Sequence, residues 1–207
     1  LDPDTPLIHE ELENNLCWER NFAAGDVDQK FADADVVVEE TFSVGRHTGV
    51  TVEPRSIVAD YQPGEEKLTV YQSTQAPHMM QNVFAKHLGM NEGDVRVVTK
   101  DVGGSFGIKV HVYADEFAAV TLSRMFRRPV KFIADRLESF VTDIHARDHL
   151  VKARLAVSMD GTIEALEFDD LTGIGPYSMY PRTSAIEANQ IVNLTGGAYR
   201  IENYKAK

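Results

Sequence analysis

The chain has 207 residues, 43% of them hydrophobic and 26% charged, with a formal net charge of −11. That length can bury a sizeable core. The acidic surplus disfavours nucleic acid and anionic membrane surfaces, which would repel it, and no apolar run approaches the roughly 20 residues of a membrane span.

The opening Leu1-Asp2-Pro3-Asp4 has neither the basic nor the apolar region of a signal peptide. Cys17 is the only cysteine, so no disulfide can form within the chain. A reducing cytoplasm is the expected compartment. Residues 6–12 read as the middle of a connecting segment, and residues 198–204 as a strand that is only beginning. The expectation is therefore a piece of a longer polypeptide.

In chain order, residues 26–32 are a short helix opened by an Asp cap. Residues 36–42 are rich in β-branched side chains and read as a strand. Residues 56–61 and 67–72 flank a Pro63-Gly64 turn and form a hairpin. Pro77 suits the first position of a helix in which Val83, Phe84, His87 and Leu88 recur at helical spacing, and Gly89 suits its left-handed cap. Residues 94–99 form a strand leading into a glycine-rich loop. A helix over 114–126 and a strand over 129–133 follow. Residues 151–158 and 162–168 pair through the turn Met159-Asp160-Gly161. Helices and strands mix without a strict βαβ rhythm, which predicts an α+β fold with mixed sheets and packed helices.

The loop Gly103-Gly104-Ser105-Phe106-Gly107 lies between a strand and a helix. Glycines there permit unusual backbone angles and a close ligand approach, and successive N–H groups can converge on the oxygens of an anion or metal-oxo group. The spacing fits neither a Walker A loop nor a Rossmann fingerprint. Asp115 and Glu116 in the next helix would also oppose a phosphate at its N-terminus. Taken alone, the loop reads as a tight turn. Gln75, between a hairpin strand and the helix begun by Pro77, reads alone as a surface or capping glutamine.

The two segments together say more. Gln72-Ser73-Thr74-Gln75-Ala76-Pro77-His78 and Asp101 to Lys109, with Gln75 and Phe106 31 positions apart, resemble the cofactor-binding core of the molybdenum hydroxylases. That family includes the carbon monoxide dehydrogenase large chain, aldehyde oxidases and xanthine dehydrogenases. Residues 7–12, 25–27 and 31–35, Glu53-Pro54, Arg128-Pro129-Val130-Lys131, Asp135-Arg136 and Glu138 are similar to further family stretches. Residues 139–149 are closest to the carbon monoxide dehydrogenase branch.

The resemblance implies the first part of a molybdopterin-binding domain over residues 36–207, incomplete at its C-terminus, with residues 1–35 connecting it to a preceding domain. It implies that Gln75 contacts the apical oxo group, and that Gly104, Ser105, Phe106 and Gly107 bind the cofactor through their backbone. The cofactor is expected as molybdopterin in its cytosine dinucleotide form, with iron–sulfur clusters and FAD on other domains or subunits as partners. The implied activity is oxidation of a small substrate (carbon monoxide, an aldehyde or an N-heteroaromatic ring) with water as the oxygen source. Val110 stands where purine-oxidising members carry a glutamate, which argues against xanthine. Ser105 replaces a glycine found in many members. The family's general-base glutamate and substrate loop would fall beyond Lys207, leaving this chain catalytically incomplete.

Two further clusters have plainer readings. His145, Arg147, Asp148 and His149 resemble a metal site only if helical, and an ion-paired strand edge is preferred. Arg124, Arg127, Arg128 and Lys131 complement a helix C-terminus. The reading from a different class is a non-catalytic interaction or scaffold module, which has no reason to hold Gln75 near Phe106.

Overall fold

The computed structural model describes residues 4–183 and 185–207. In chain order these form β1 (Phe22–Ala24), α1 (Val27–Asp33), β2 (Val36–Val44), β3 (Ser56–Gln62), β4 (Lys67–Gln72), α2 (Pro77–Leu88), β5 (Val95–Val98), α3 (Ala114–Phe126), β6 (Val130–Ile133), α4 (Arg136–Thr142), β7 (Asp148–Val157), β8 (Ile163–Gly173), α5 (Ile186–Leu194) and β9 (Tyr204–Ala206). The mixture is α+β, as expected.

Two compact units share the chain. One is assembled from residues 1–46, 147–178 and 182–207, and the other from residues 47–146 and 179–181. In the first unit the strands run in the order β1-β9-β8-β7-β2. β7 and β8 are an antiparallel hairpin, turned at Gly161, whose φ of +89° suits a residue without a Cβ. β9 pairs parallel to β8 and antiparallel to β1. Asp26 caps α1 by accepting from the Gln29 N–H. Val27 of that helix buries against Ala156 and Ala165, with Phe31 and Ala34 beside them.

The strand expected at 198–204 forms later, at Tyr204–Ala206. Turn hydrogen bonds from Gly197 to Leu194 and from Tyr199 to Gly196 hold the preceding residues out of the sheet. His149 and Asp148 lie on β7, which has neighbours on both sides. The ion pairs expected there exist, but within the sheet rather than at its edge.

The second unit has the strand order β5-β4-β3-β6. β3 and β4 are the expected hairpin. β4 and β5 run parallel, joined by α2, so one βαβ crossover sits inside this otherwise antiparallel sheet. Alternate strand residues Ile57, Ala59, Leu68 and Val70 bury against Met80 and Phe84 of α2 and Val120 of α3. Period-two strands packed on helical stripes produce that core. Pro77 opens α2, and Gly89 closes it with φ +63°, while the Met90 N–H reaches back to the Ala85 carbonyl. Asp135 and Glu138 form a reciprocal capping box on α4.

Candidate functional site

Because β4 and β5 are parallel, their carboxyl ends emerge side by side: Tyr71 lies opposite Val98. The segment after β4 carries Gln75, and the segment after β5 carries the glycine loop. Strand direction thus brings together what the sequence separates.

The loop turns sharply. Gly104, Phe106 and Gly107 have φ values of +97°, +46° and +84°. A left-handed phenylalanine is uncommon and carries strain. The residue is 77% exposed. Among the described residues, the N–H groups of Gly104, Ser105, Phe106 and Gly107 donate to no protein acceptor. The loop closes with the Ile108 N–H donating to the Ser105 carbonyl at 2.8 Å. A short 3₁₀ turn over Ile108–Val110 then intervenes before α3.

Gln75 is joined to this turn through its backbone, its N–H donating to the Lys109 carbonyl at 3.2 Å. The Thr74 hydroxyl donates to the same carbonyl at 2.9 Å. The Ala76 N–H in turn donates to Thr74 Oγ1 at 3.1 Å. Gln75 itself is exposed, and its side-chain amide makes no hydrogen bond among the described residues.

Glu53 sits behind the loop. Its Oε2 accepts from the Gly103 N–H at 2.7 Å, the Ser73 hydroxyl at 2.8 Å and Lys109 Nζ at 2.9 Å. The Glu53 N–H returns a bond to the Gly103 carbonyl. A Cβ on residue 103 would lie 2.6 Å from the Glu53 Cβ, so this position requires glycine for space. Lys109 is only 2% exposed. Burial opposes ionisation of Glu53, but the bonds from Lys109, Gly103 and Ser73 outweigh it and hold its pKa below the usual carboxylate value.

Beneath lies a buried charge network. Arg55, fully enclosed, donates two bonds to Asp115 and one each to Asp143 and Thr142. Its guanidinium stacks 3.7 Å from the centre of the Tyr113 ring. The Tyr113 hydroxyl donates to the Ile108 carbonyl, so the network supports the end of the loop. Glu116 lies 3.4 Å from Arg55 and accepts from Gln72 Nε2 at 2.7 Å. Burial pushes its pKa up to about 7, against the pull of Arg55. Gln72 Oε1 is buried without a partner. Asp115 and Glu116, which the sequence suggested would repel an anion at the start of α3, are instead turned onto Arg55.

Gln75 and the glycine loop thus follow neighbouring strand ends, and Gln75 is tied to Lys109, two residues past Gly107. Sequence reasoning missed the Glu53–Lys109 anchor and the Arg55 network. The only signals were a lysine two residues after the glycine loop and Glu53-Pro54 just ahead of the first hairpin. The other suspected cluster is resolved differently. His149 Nδ1 lies 3.0 Å from Asp170, and Arg147 pairs with Glu187. Among the described residues, no group of three or more His, Cys, Asp or Glu side chains is arranged to hold a metal ion.

The loop suits an oxygen-rich group. Adjacent N–H groups free to donate, in a turn with repeated left-handed residues, form an anion-accepting concavity, and the unengaged Gln75 amide adds a further donor.

Comparison with known proteins agrees. The model of the molybdopterin cofactor-binding domain matches residues 8–207. The nicotine 6-hydroxylase large subunit of Paenarthrobacter nicotinovorans is 33% identical over 193 residues, covering 92% of this chain and 24% of that protein. The carbon monoxide dehydrogenase large chain of Hydrogenophaga pseudoflava is 30% identical over 97% of this chain and 26% of its own length. The crystal structure of quinoline 2-oxidoreductase from Pseudomonas putida 86 superposes with a TM-score of 0.81 at 30% identity, covering 90% of this chain and 24% of that one. The chain spans about a quarter of the length of these relatives. Matched by that model over nearly its whole length, the chain belongs to the molybdopterin cofactor-binding domain family.

Proposed function

We propose that this chain is the molybdopterin-binding part of a molybdenum hydroxylase large subunit, oxidising a small substrate of the carbon monoxide or aldehyde type with water as the oxygen source. The observation that carries the reading is the run of unengaged N–H groups from Gly104 to Gly107, together with an unengaged amide on Gln75, whose backbone is tied to Lys109. In this reading the amides of Gly104, Ser105, Phe106 and Gly107 would hold the cofactor's oxygens, and the Gln75 side-chain amide would donate to one of them. The bound cofactor supplies a two-electron redox centre. The chain's own residues bind and orient it. The exposed Phe106 ring supplies an apolar wall on the substrate side.

The cytosine dinucleotide form of the cofactor is the expected one. Iron–sulfur clusters and FAD on other domains or subunits would take the electrons onward. The general base would come from sequence outside these 207 residues, and the cytoplasm is the proposed compartment. Among the described residues, no helix is long and apolar enough to cross a membrane. A second reading, hydroxylation of an N-heteroaromatic ring, is favoured by the similarity to proteins named for nicotine and quinoline.

Elemental analysis tests the reading. The protein is purified with its co-expressed partner subunits, and molybdenum is measured with and without the changes Gln75→Ala and Phe106→Ala. Close to one molybdenum per complex, reduced in both variants, is the expected result. Absence of molybdenum from the complex would refute the assignment and leave an interaction module as the better description. A substrate panel of carbon monoxide, aldehydes and N-heterocycles then separates the two enzymatic readings.

A further inference from the structure

The geometry points to Glu53 as the positioning residue that fixes the glycine loop against Gln75, acting through Lys109. The inference rests on the reading of that loop as the cofactor site, but its geometry and its test do not need the cofactor.

One carboxylate oxygen gathers three donors from three segments: Gly103 at the loop's start, Ser73 just before Gln75, and Lys109 at the loop's end. Lys109 then holds Gln75 from its other side, since its carbonyl accepts the Gln75 N–H. The connection is therefore continuous: loop start, Glu53, Lys109, Gln75. Both the ammonium and the carbonyl of Lys109 are committed, and its side chain is enclosed. If Glu53 were neutral, Lys109 would be a buried cation without its counter-charge, an arrangement that costs too much to persist. The lysine side chain would then turn outward and release the backbone that carries Gln75. The close approach that excludes any side chain at Gly103 points the same way, because Glu53 packs against the loop as well as bonding to it. Lys100, Asp101 and Lys131 line a cleft of about 240 Å³ beside Glu53, and Arg136 donates to the carbonyls of Thr51 and Val52 just ahead of it.

Hydrogen exchange of the full chain, resolved to single amides, tests this in Glu53→Gln. Hydrogen bonds to a charged group contribute about 1.5–3 kcal/mol. The Gly103 and Gln75 amides are therefore expected to exchange roughly 10- to 100-fold faster together, while amides within α3 keep wild-type rates. Ser73→Ala leaves the buried pair intact and is expected to speed the same two amides by roughly 2- to 10-fold. It serves if Glu53→Gln does not fold.

A pH profile separates positioning from simple bulk. Glu53 has a depressed pKa, so its anchoring is in force above the ordinary carboxylate range and is lost as pH falls through its folded value. Wild-type protection at Gly103 and Gln75 should fall on acidification, and in Glu53→Gln it should not change with pH. Acceleration at Gly103 without acceleration at Gln75 would overturn the proposal, as would unchanged rates at both or an unchanged pH profile. Faster exchange at both amides with molybdenum content unchanged would uphold the Glu53 anchor and count against the cofactor assignment instead.

Discussion

Replacing Glu116 by Gln should make the protein less sensitive to alkali. The carboxyl group is buried, accepts a bond from Gln72, and shares Arg55 with Asp115 and Asp143. One cation thus serves three acids. Burial raises the Glu116 pKa from 4.5 to about 7. A raised pKa means that the folded state holds the proton more tightly than the unfolded chain does. The associated stability is fully present below pH 4.5 and is lost as pH rises through about 7. At about 1.4 kcal/mol per pH unit, the loss accumulates to roughly 3 kcal/mol by pH 8. Glutamine resembles the protonated acid in shape and cannot ionise. Urea unfolding of wild type and Glu116→Gln, measured from pH 5 to 8.5, should show a wild-type stability that falls more steeply above pH 5. The variant should gain relative to wild type as pH rises. Parallel curves would refute the reasoning and show that Glu116 stays ionised in the folded state, held by Arg55.

Two other outcomes follow from the same unit. Arg55→Met strips the counter-charge from Asp115 and Asp143 and should cost about 3–5 kcal/mol, seen as a fall of roughly 6–20 °C in thermal midpoint; a fall under 2 °C would mean that the carboxylates find other partners. Gly103→Ala drives a methyl group into the Glu53 Cβ and should destabilise by about 1–3 kcal/mol through overpacking, with lower molybdenum content in the assembled complex; normal stability and normal metal would show that the loop can shift away from Glu53.

Local chemistry made much of the fold legible. The Asp26 cap, the Pro77 start and Gly89 stop of α2, and the Asp160-Gly161 turn each act within a few residues, and each appears where the sequence indicates. α5 carries no such mark: Ala185 at its N-cap has no side chain to bond the first turn. The parallel pairing of β4 with β5 was hidden for another reason, since strand direction depends on where a connecting helix returns the chain. Gln75 and residues 104–107 stood out in the sequence as a motif because glycine placement and spacing are visible in the order of residues, and the loop's left-handed turns fall at Gly104, Phe106 and Gly107. The parts that hold them were not. Glu53, Arg55 and Lys109 are charged residues in a highly charged chain, and nothing in their order reveals that a fold has enclosed them.

The first unit is discontinuous: Phe22 of β1 finds its partner at Ala206 of β9, and the whole second unit is threaded between. A chain leaving the ribosome exposes residues 47–146 as one uninterrupted stretch, and domains fold as units during synthesis. That half can close while the five-stranded sheet still lacks β9. Within these residues β1 must wait for β9, a pairing of high contact order and hence slow formation. Misfolding is therefore expected to begin in the first unit, with β1 as the segment longest without a partner, and slower translation should favour the unit that carries the glycine loop.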